Sequence, residues 1–317
     1  MSTLPTWADD LGHGVYAIDT GFHRPRFDAA YLLVQDGRAA FIDTGTNFAV
    51  PRLLGLLDAL GLSRDAVDHV IPTHVHLDHA GGVGLLMREL PTATLWVHPR
   101  GAPHMIDPTK LYAGALAVYG QAEMDRSYGE LMPVPEARVR ATADESAIEV
   151  AGRALRVIHT PGHARHHHCL WDPVTRGWFT GDTFGLSYRE TDADGAAWIM
   201  PTSTPVQFEP APLRESVGRL LAAAPDCMYL THYGRVGDVP RLGRLLLSLI
   251  DEMVDVARSA PPGPGRHAAL VAGMEALFGR SLREHGLPIG VDDVRRLLGL
   301  DIELNAQGLG IWLDRPA

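Results

Sequence analysis

Apolar and polar positions along this chain alternate with two periods, one of about two residues and one of about 3.6. Residues 14–19, 30–35 and 39–43 are short runs rich in apolar and β-branched side chains, and Asp36-Gly37 between the last two is a strong hairpin signal. The period then lengthens over 51–60, where Leu53, Leu54, Leu57 and Leu60 fall on one helical face and Pro51 suits a first helical turn. A strand (67–72), a His/Asp loop, a helix (84–90) and a strand (94–98) follow, giving a β-α-β-α alternation. Residues 101–133 carry a weaker, mostly helical pattern and read as an excursion that covers part of the molecule as a lid. Strands resume at 148–150, 155–160, 167–171 and 177–180, with turns at Asp172-Pro173 and Arg176-Gly177. A polar, proline-rich stretch (191–212) leads to a helix (213–224), a strand (227–231) and a long amphipathic helix (239–257). Pro261-Pro262-Gly263-Pro264-Gly265 fits neither a regular helix nor a central strand and is the best linker, with helices at 267–283 and 292–298 beyond it. These patterns predict a domain over 1–260 and a helical C-terminal appendage over 261–317, too short to have much core of its own.

Composition narrows the function classes. The chain has 317 residues, 46% of them hydrophobic and 21% charged, so it can bury a substantial core and is not a disordered segment. Its longest apolar runs fall far below the roughly 18 residues a membrane span needs, and no basic-then-apolar leader is visible at the N-terminus. A cytoplasmic protein without a membrane partner is expected. Net charge of −10 disfavours nucleic acid as a partner, since a polyanion would meet an opposing field. Cys169 and Cys227 form no C-x-x-C pair and read as buried small residues in a reduced compartment. The unusual count is 16 histidines.

Three of them lie close together with an aspartate. Thr73-His74-Val75-His76-Leu77-Asp78-His79-Ala80-Gly81-Gly82 is an H-x-H-x-D-H motif directly after a predicted strand. In extended backbone the imidazoles at i and i+2 face one side, and the Asp-His pair falls where the chain turns into a helix, so one loop presents two neighbouring ligand sets. A lone histidine is most simply a surface or core residue; a spaced set of this kind is a metal-site signal.

This motif resembles the signature of the metallo-β-lactamase superfamily, and the other motifs of that family occur in order: Asp43-Thr44-Gly45, Thr160-Pro161-Gly162-His163, Phe179-Thr180-Gly181-Asp182 and Leu230-Thr231-His232. The resemblance covers residues 14 to 235 and leaves the C-terminal appendage unexplained. It implies a four-layer αββα sandwich of two mixed β-sheets with a mono- or dinuclear metal site at one edge. His74, His76 and His163 are then implied to bind a first metal, Asp78, His79 and His232 a second, and Asp182 to bridge them. Neutral imidazoles and carboxylates suit zinc first, with iron or manganese as alternatives, and a bridging water acidified by two cations is a competent nucleophile. Asp43 is expected to hold a ligating histidine from behind.

The implied activity is a dinuclear metal-dependent hydrolase acting on an ester, thioester, lactone or phosphoester bond of a small molecule. The alternatives are a mononuclear-iron, persulfide dioxygenase-like oxidoreductase and a non-catalytic metal-binding regulator. His166, within the His166-His167-His168 run, and Tyr188 are further catalytic candidates, Tyr233 beside His232 is another possible donor, and His98 and His104 read as polar loop residues. The tyrosine of homoserine-lactone-cleaving relatives would fall at Gly185, which disfavours that substrate. The long apolar-faced C-terminal helices give a homodimer a mild preference.

Overall fold

The computed structural model describes residues 4–203 and 207–315. Residues 1–3 of the leader reading and 204–206 of the proline-rich stretch lie outside the described residues. The chain divides into two compact units: one holds the residues up to His159, His166–Gly181 and Asp226–Arg235, the other Thr160–Arg165, Asp182–Pro225 and the residues from Val236 on.

The first unit is built on two mixed sheets, as expected. Strands β1 (Ala8–Asp10), β2 (Val15–Asp19), β3 (Ala29–Gln35), β4 (Arg38–Ile42), β5 (Val67–Ile71), β6 (Thr94–Val97) and β7 (Val139–Ala141) lie side by side in chain order. Pairing is antiparallel up to β4 and parallel from β4 to β7. The change comes where hairpins give way to helical crossovers, which parallel strands require. The second sheet has the order β13-β12-β11-β10-β9-β8, from β8 (Ala147–Val150), β9 (Arg153–His159), β10 (His168–Asp172), β11 (Gly177–Gly181), β12 (Cys227–Leu230) and β13 (Gly234–Val236), the last of whose residues falls in the other unit.

Alternation along β3 shows how the core divides. Ala29, Tyr31 and Leu33 face the second sheet and pack with Ile148, Leu155, Phe179 and Tyr229, whereas Ala30 and Leu32 face helices α1 (Val50–Leu60) and α3 (Val83–Glu89) across Leu53, Leu57 and Leu86. Helix α1 carries Pro51 in its first turn and is closed by Gly61, whose φ of 68° suits glycine; it buries Leu53, Leu56 and Leu57 and leaves Leu54 and Leu60 half-buried. The short helix α2 (Leu77–Ala80) carries the Asp-His pair of the motif. The excursion is helical, with α4 (Ala102–Ile106), α5 (Thr109–Tyr119), α6 (Gln121–Glu123) and a π-helical turn over Met124–Tyr128.

The second unit is helical: α7 (Pro210–Ala222), α8 (Val239–Ser259), α9 (Arg266–Glu284) and α10 (Val291–Leu313). Pro261–Gly265 is a turn between two helices of this one unit, whereas the sequence reading cuts the chain there. Leu242, Leu246, Ile250 and Met253 of α8 are buried, and Gly243 comes so close to Leu221 of α7 that a Cβ would lie 2.7 Å from Leu221 Cδ2. Helix α10 runs fifteen residues past the predicted end at 298: Gly299, Gly308 and Gly310 weaken its helical signal, but burial of Ile302, Ala306 and Leu309 holds it. No helix among the described residues is long and apolar enough to cross a membrane.

One buried ion pair pins the second sheet. Arg153 Nε donates to Asp172 Oδ1 at 2.8 Å, Nη2 to Oδ2, and Nη1 to the His13 carbonyl at 2.6 Å. Burial alone pushes the Asp172 carboxyl up, but hydrogen bonds from Arg153 and Thr175 bring it below the ordinary carboxylate range. A lowered folded pKa means stability that is complete above about pH 4 and lost as pH falls through the folded value. Arg153→Met should cost about 3–5 kcal/mol in urea unfolding at pH 7, because Asp172 is left charged and buried. The difference from wild type should shrink below pH 4.

Candidate metal centre

In the first unit the motif loop leaves β5 at Ile71 and its ligand-type side chains converge. The His74 and His76 rings stand edge to face with centroids 4.4 Å apart and Nε2 to Nδ1 at 2.8 Å. Asp78, His79 and His232 present three donor atoms within 4.8 Å of one another, with His232 supplied by the chain after β12. Asp78 Oδ2 lies 3.6 Å from His79 Nε2 and 3.4 Å from His232 Nε2. In the second unit His163 Nε2 lies 3.3 Å from Asp182 Oδ2.

The outer nitrogens explain why these rings point as they do. His79 Nδ1 donates to Asp43 Oδ2 at 3.0 Å, His232 Nδ1 to the Phe27 carbonyl at 3.0 Å, and His163 Nδ1 to the Thr202 carbonyl at 3.2 Å. An imidazole that spends its proton on one nitrogen offers a lone pair at the other, so each Nε2 faces a carboxylate as an unprotonated donor. In the first unit His79 and His232, with the Asp78 carboxylate facing both, fit a divalent cation of the zinc, iron or manganese kind.

Asp43 is the anchor expected from its motif. It is buried, with a φ of 56° that aspartate tolerates better than most residues, and it accepts from Thr73 N (2.6 Å), Thr73 Oγ1 (3.0 Å) and Thr231 Oγ1 (2.8 Å) as well as from His79. Thr73 Oγ1 in turn accepts from His74 Nδ1 at 3.2 Å. Gly181, the residue before Asp182, passes so close that a Cβ there would lie 2.5 Å from Thr73 Oγ1 and 2.6 Å from His167 Nε2.

The remaining candidates separate clearly. His166 accepts the Val75 N–H on Nδ1 at 3.4 Å, and its ring stacks toward His74 and stands edge-on to His76; His167 stacks on His74 at 4.7 Å. His168 is structural: its backbone N–H donates to the Thr73 carbonyl, Nε2 donates to the Pro72 carbonyl and Nδ1 accepts from Thr142 Oγ1. Burial pushes it down to about 3, which keeps it neutral. His98 lies in the loop directly after β6, but it is buried. Its ring packs against that of His159 with centroids 4.2 Å apart and planes tilted by 49°, and burial followed by the neighbouring imidazoles pushes it down to about 3. Tyr188 is buried in the second unit and donates to Asp301 at 3.0 Å; Tyr233 packs in the inter-sheet core. Cys169 and Cys227 are both buried and neither is in a disulfide.

Several residues escaped the sequence reading. Phe27 stands edge to face with His232 at 5.5 Å and begins an aromatic run through Phe22 and Tyr128 to Tyr119, with steps of 6.0, 5.5 and 5.4 Å. Burial, followed by the charge of Asp78, pushes the Tyr119 hydroxyl up to about 12. Asp28 is buried beside this run, and burial pushes its carboxyl up to about 8. Local sequence does not report that these residues, far apart in the chain, meet.

Residues 23–232 match the sequence profile of the metallo-beta-lactamase superfamily. The chain belongs to this superfamily. It is 25% identical over 228 residues to the metallo-beta-lactamase fold-containing protein ST1585 of Sulfurisphaera tokodaii, spanning 70% of this chain and 79% of that one. The crystal structure of ST1585 aligns over 94% of this chain and 99% of its own at a TM-score of 0.65 and 22% identity, a likeness of metallo-beta-lactamase fold alone. Human acyl-coenzyme A thioesterase MBLAC2 is 29% identical over 201 residues, 57% of this chain and 68% of that protein. An atrochrysone carboxyl ACP thioesterase of Aspergillus fumigatus is 26% identical over 174 residues, 54% of this chain and 29% of that protein.

Asp43→Ala removes the acceptor of His79 and of two threonines at once. It should weaken zinc binding by about 10–100-fold in chelator competition. Unchanged affinity would show that His79 needs no anchor.

Proposed function

We propose that the protein is a metal-dependent hydrolase that holds two divalent cations, zinc first among them, and cleaves an ester or thioester of a small molecule. The observation that carries this reading is the Asp78 carboxylate facing Nε2 of both His79 and His232, with each ring fixed through its outer nitrogen. His74, His76 and His163 are assigned to one cation, Asp78, His79 and His232 to the other, and Asp182 to both, following the motif order of the superfamily. Bound there, the cations supply Lewis acidity and lower the pKa of a coordinated water.

The chain's own residues do the rest. Asp43 and the Phe27 carbonyl prevent the His79 and His232 rings from turning, so the donor set is formed before substrate arrives. The aromatic run from Phe27 to Tyr119 backs His232 with buried apolar packing, which holds that ring on its edge. The thioesterase names of MBLAC2 and the Aspergillus protein favour a thioester within the wider range of esters, lactones and phosphoesters.

Elemental analysis of protein purified without added metal, on wild type and His79→Ala, is the direct test. The expected result is two zinc or manganese ions per chain, one of them lost in the variant, with acyl-thioester hydrolysis falling at least 100-fold in His74→Ala and Asp182→Ala. A single iron that survives His79→Ala would replace this reading with the oxidoreductase one. Full turnover in either of the other variants would overturn it.

A further inference from the structure

Helix α10 is the part of the chain that the superfamily motifs leave unexplained, and its middle holds a fully buried asparagine. Asparagine is a poor helix former, and burying its amide is costly unless both ends find partners. Asn305 spends them all on one short stretch of another segment. Its Oδ1 accepts from Ser203 N at 2.6 Å, its Nδ2 donates to the Pro201 carbonyl at 3.4 Å, and its own carbonyl accepts from Ser203 Oγ at 3.3 Å.

Thr202 lies between those two residues, and its carbonyl is the acceptor for His163 Nδ1. The Ser203 N–H and the Thr202 C=O belong to the same peptide group, which is planar, so fixing one end fixes the direction of the other. The relay runs from Asn305 Oδ1 to the N–H of that peptide, then from its C=O to the His163 ring. The segment carrying it is a hairpin: Leu186 and Met200 exchange backbone hydrogen bonds, and Ser187 Oγ donates to the Trp198 carbonyl at 2.6 Å. Asp182 and Thr202 therefore sit at the two open ends of one hairpin, and both meet His163, on Nε2 and Nδ1 respectively.

We infer that Asn305 is a positioning residue for His163: from the C-terminal helix it sets the peptide that orients this imidazole and fixes which of its nitrogens keeps the proton. The helical C-terminus thus contributes to ligand geometry. This rests on the reading of His163 as a metal ligand, which must be tested alongside it.

The test is stepwise zinc affinity by chelator competition, with the visible absorption of the cobalt(II)-loaded protein as a coordination signature, on wild type, His163→Ala, Asn305→Leu, Asn305→Asp and Ser281→Ala. Ser281→Ala removes a comparable buried hydrogen bond, from Trp198 Nε1 at 2.9 Å, on the same hairpin but away from Thr202. Asn305→Leu is expected to weaken one of the two binding steps about 10–100-fold, the one that His163→Ala weakens, and to change the cobalt spectrum. Asn305→Asp keeps the acceptor for Ser203 N–H and should recover most of the affinity. Ser281→Ala should lower the thermal midpoint of the metal-free protein with both steps intact. If His163→Ala leaves both steps unchanged, the ligand assignment fails, and this inference with it. If His163→Ala weakens a step but Asn305→Leu matches wild type or Ser281→Ala, the inference alone is overturned.

Discussion

A single buried carboxylate organises the first unit. Asp43 sits at the end of β4 with almost no exposure, and a charge in that position persists only if donors surround it. The donors come from the loop after β5 (Thr73), the helix α2 (His79) and the chain after β12 (Thr231), so meeting one electrostatic requirement fixes strand ends from both sheets. The Asp-Thr-Gly motif of the sequence is therefore an assembly point, and the ligand-type residues inherit their positions from it.

A second regularity follows from imidazole chemistry. His79, His232 and His163 each give their Nδ1 proton to an oxygen, but the oxygens differ in kind: one carboxylate and two backbone carbonyls. A carboxylate raises the basicity of its ring more than a carbonyl does, so these donors are not equivalent although their residue types are. His168 shows the contrasting case, with both nitrogens committed to Pro72 and Thr142 and none left to offer. Neighbouring histidines in one run thus have opposite fates, decided by what each nitrogen meets.

The sheet pattern was legible because hairpin turns and alternation are local signals, and Asp36-Gly37, the run at residues 30–35 and the strand before His74 all lie where the periodicity places them. The motif residues were legible because their spacing is tied to strand ends. What could not be read depends on contacts between distant segments. Nothing near His98 announces that it packs against His159, and nothing near Phe27 announces His232. The end of α10 was hidden by glycines whose propensity opposes the packing that overrides it. The grouping of α8 with α9 and α10 was hidden because the proline-rich turn between α8 and α9 looks locally like a linker.

The clamp on Thr202 also bears on the order in which the molecule can be completed. Ser203 and Asn305 are 102 residues apart in sequence, and the second unit is assembled from three separate pieces of chain. Closing so long a loop carries an entropic cost that must be met before the contact returns anything, so the hairpin cannot be locked while α10 is still unmade. During synthesis the turn bearing His163 therefore emerges well ahead of the helix that holds its acceptor peptide, and this imidazole is among the last parts of the second unit to reach its final orientation.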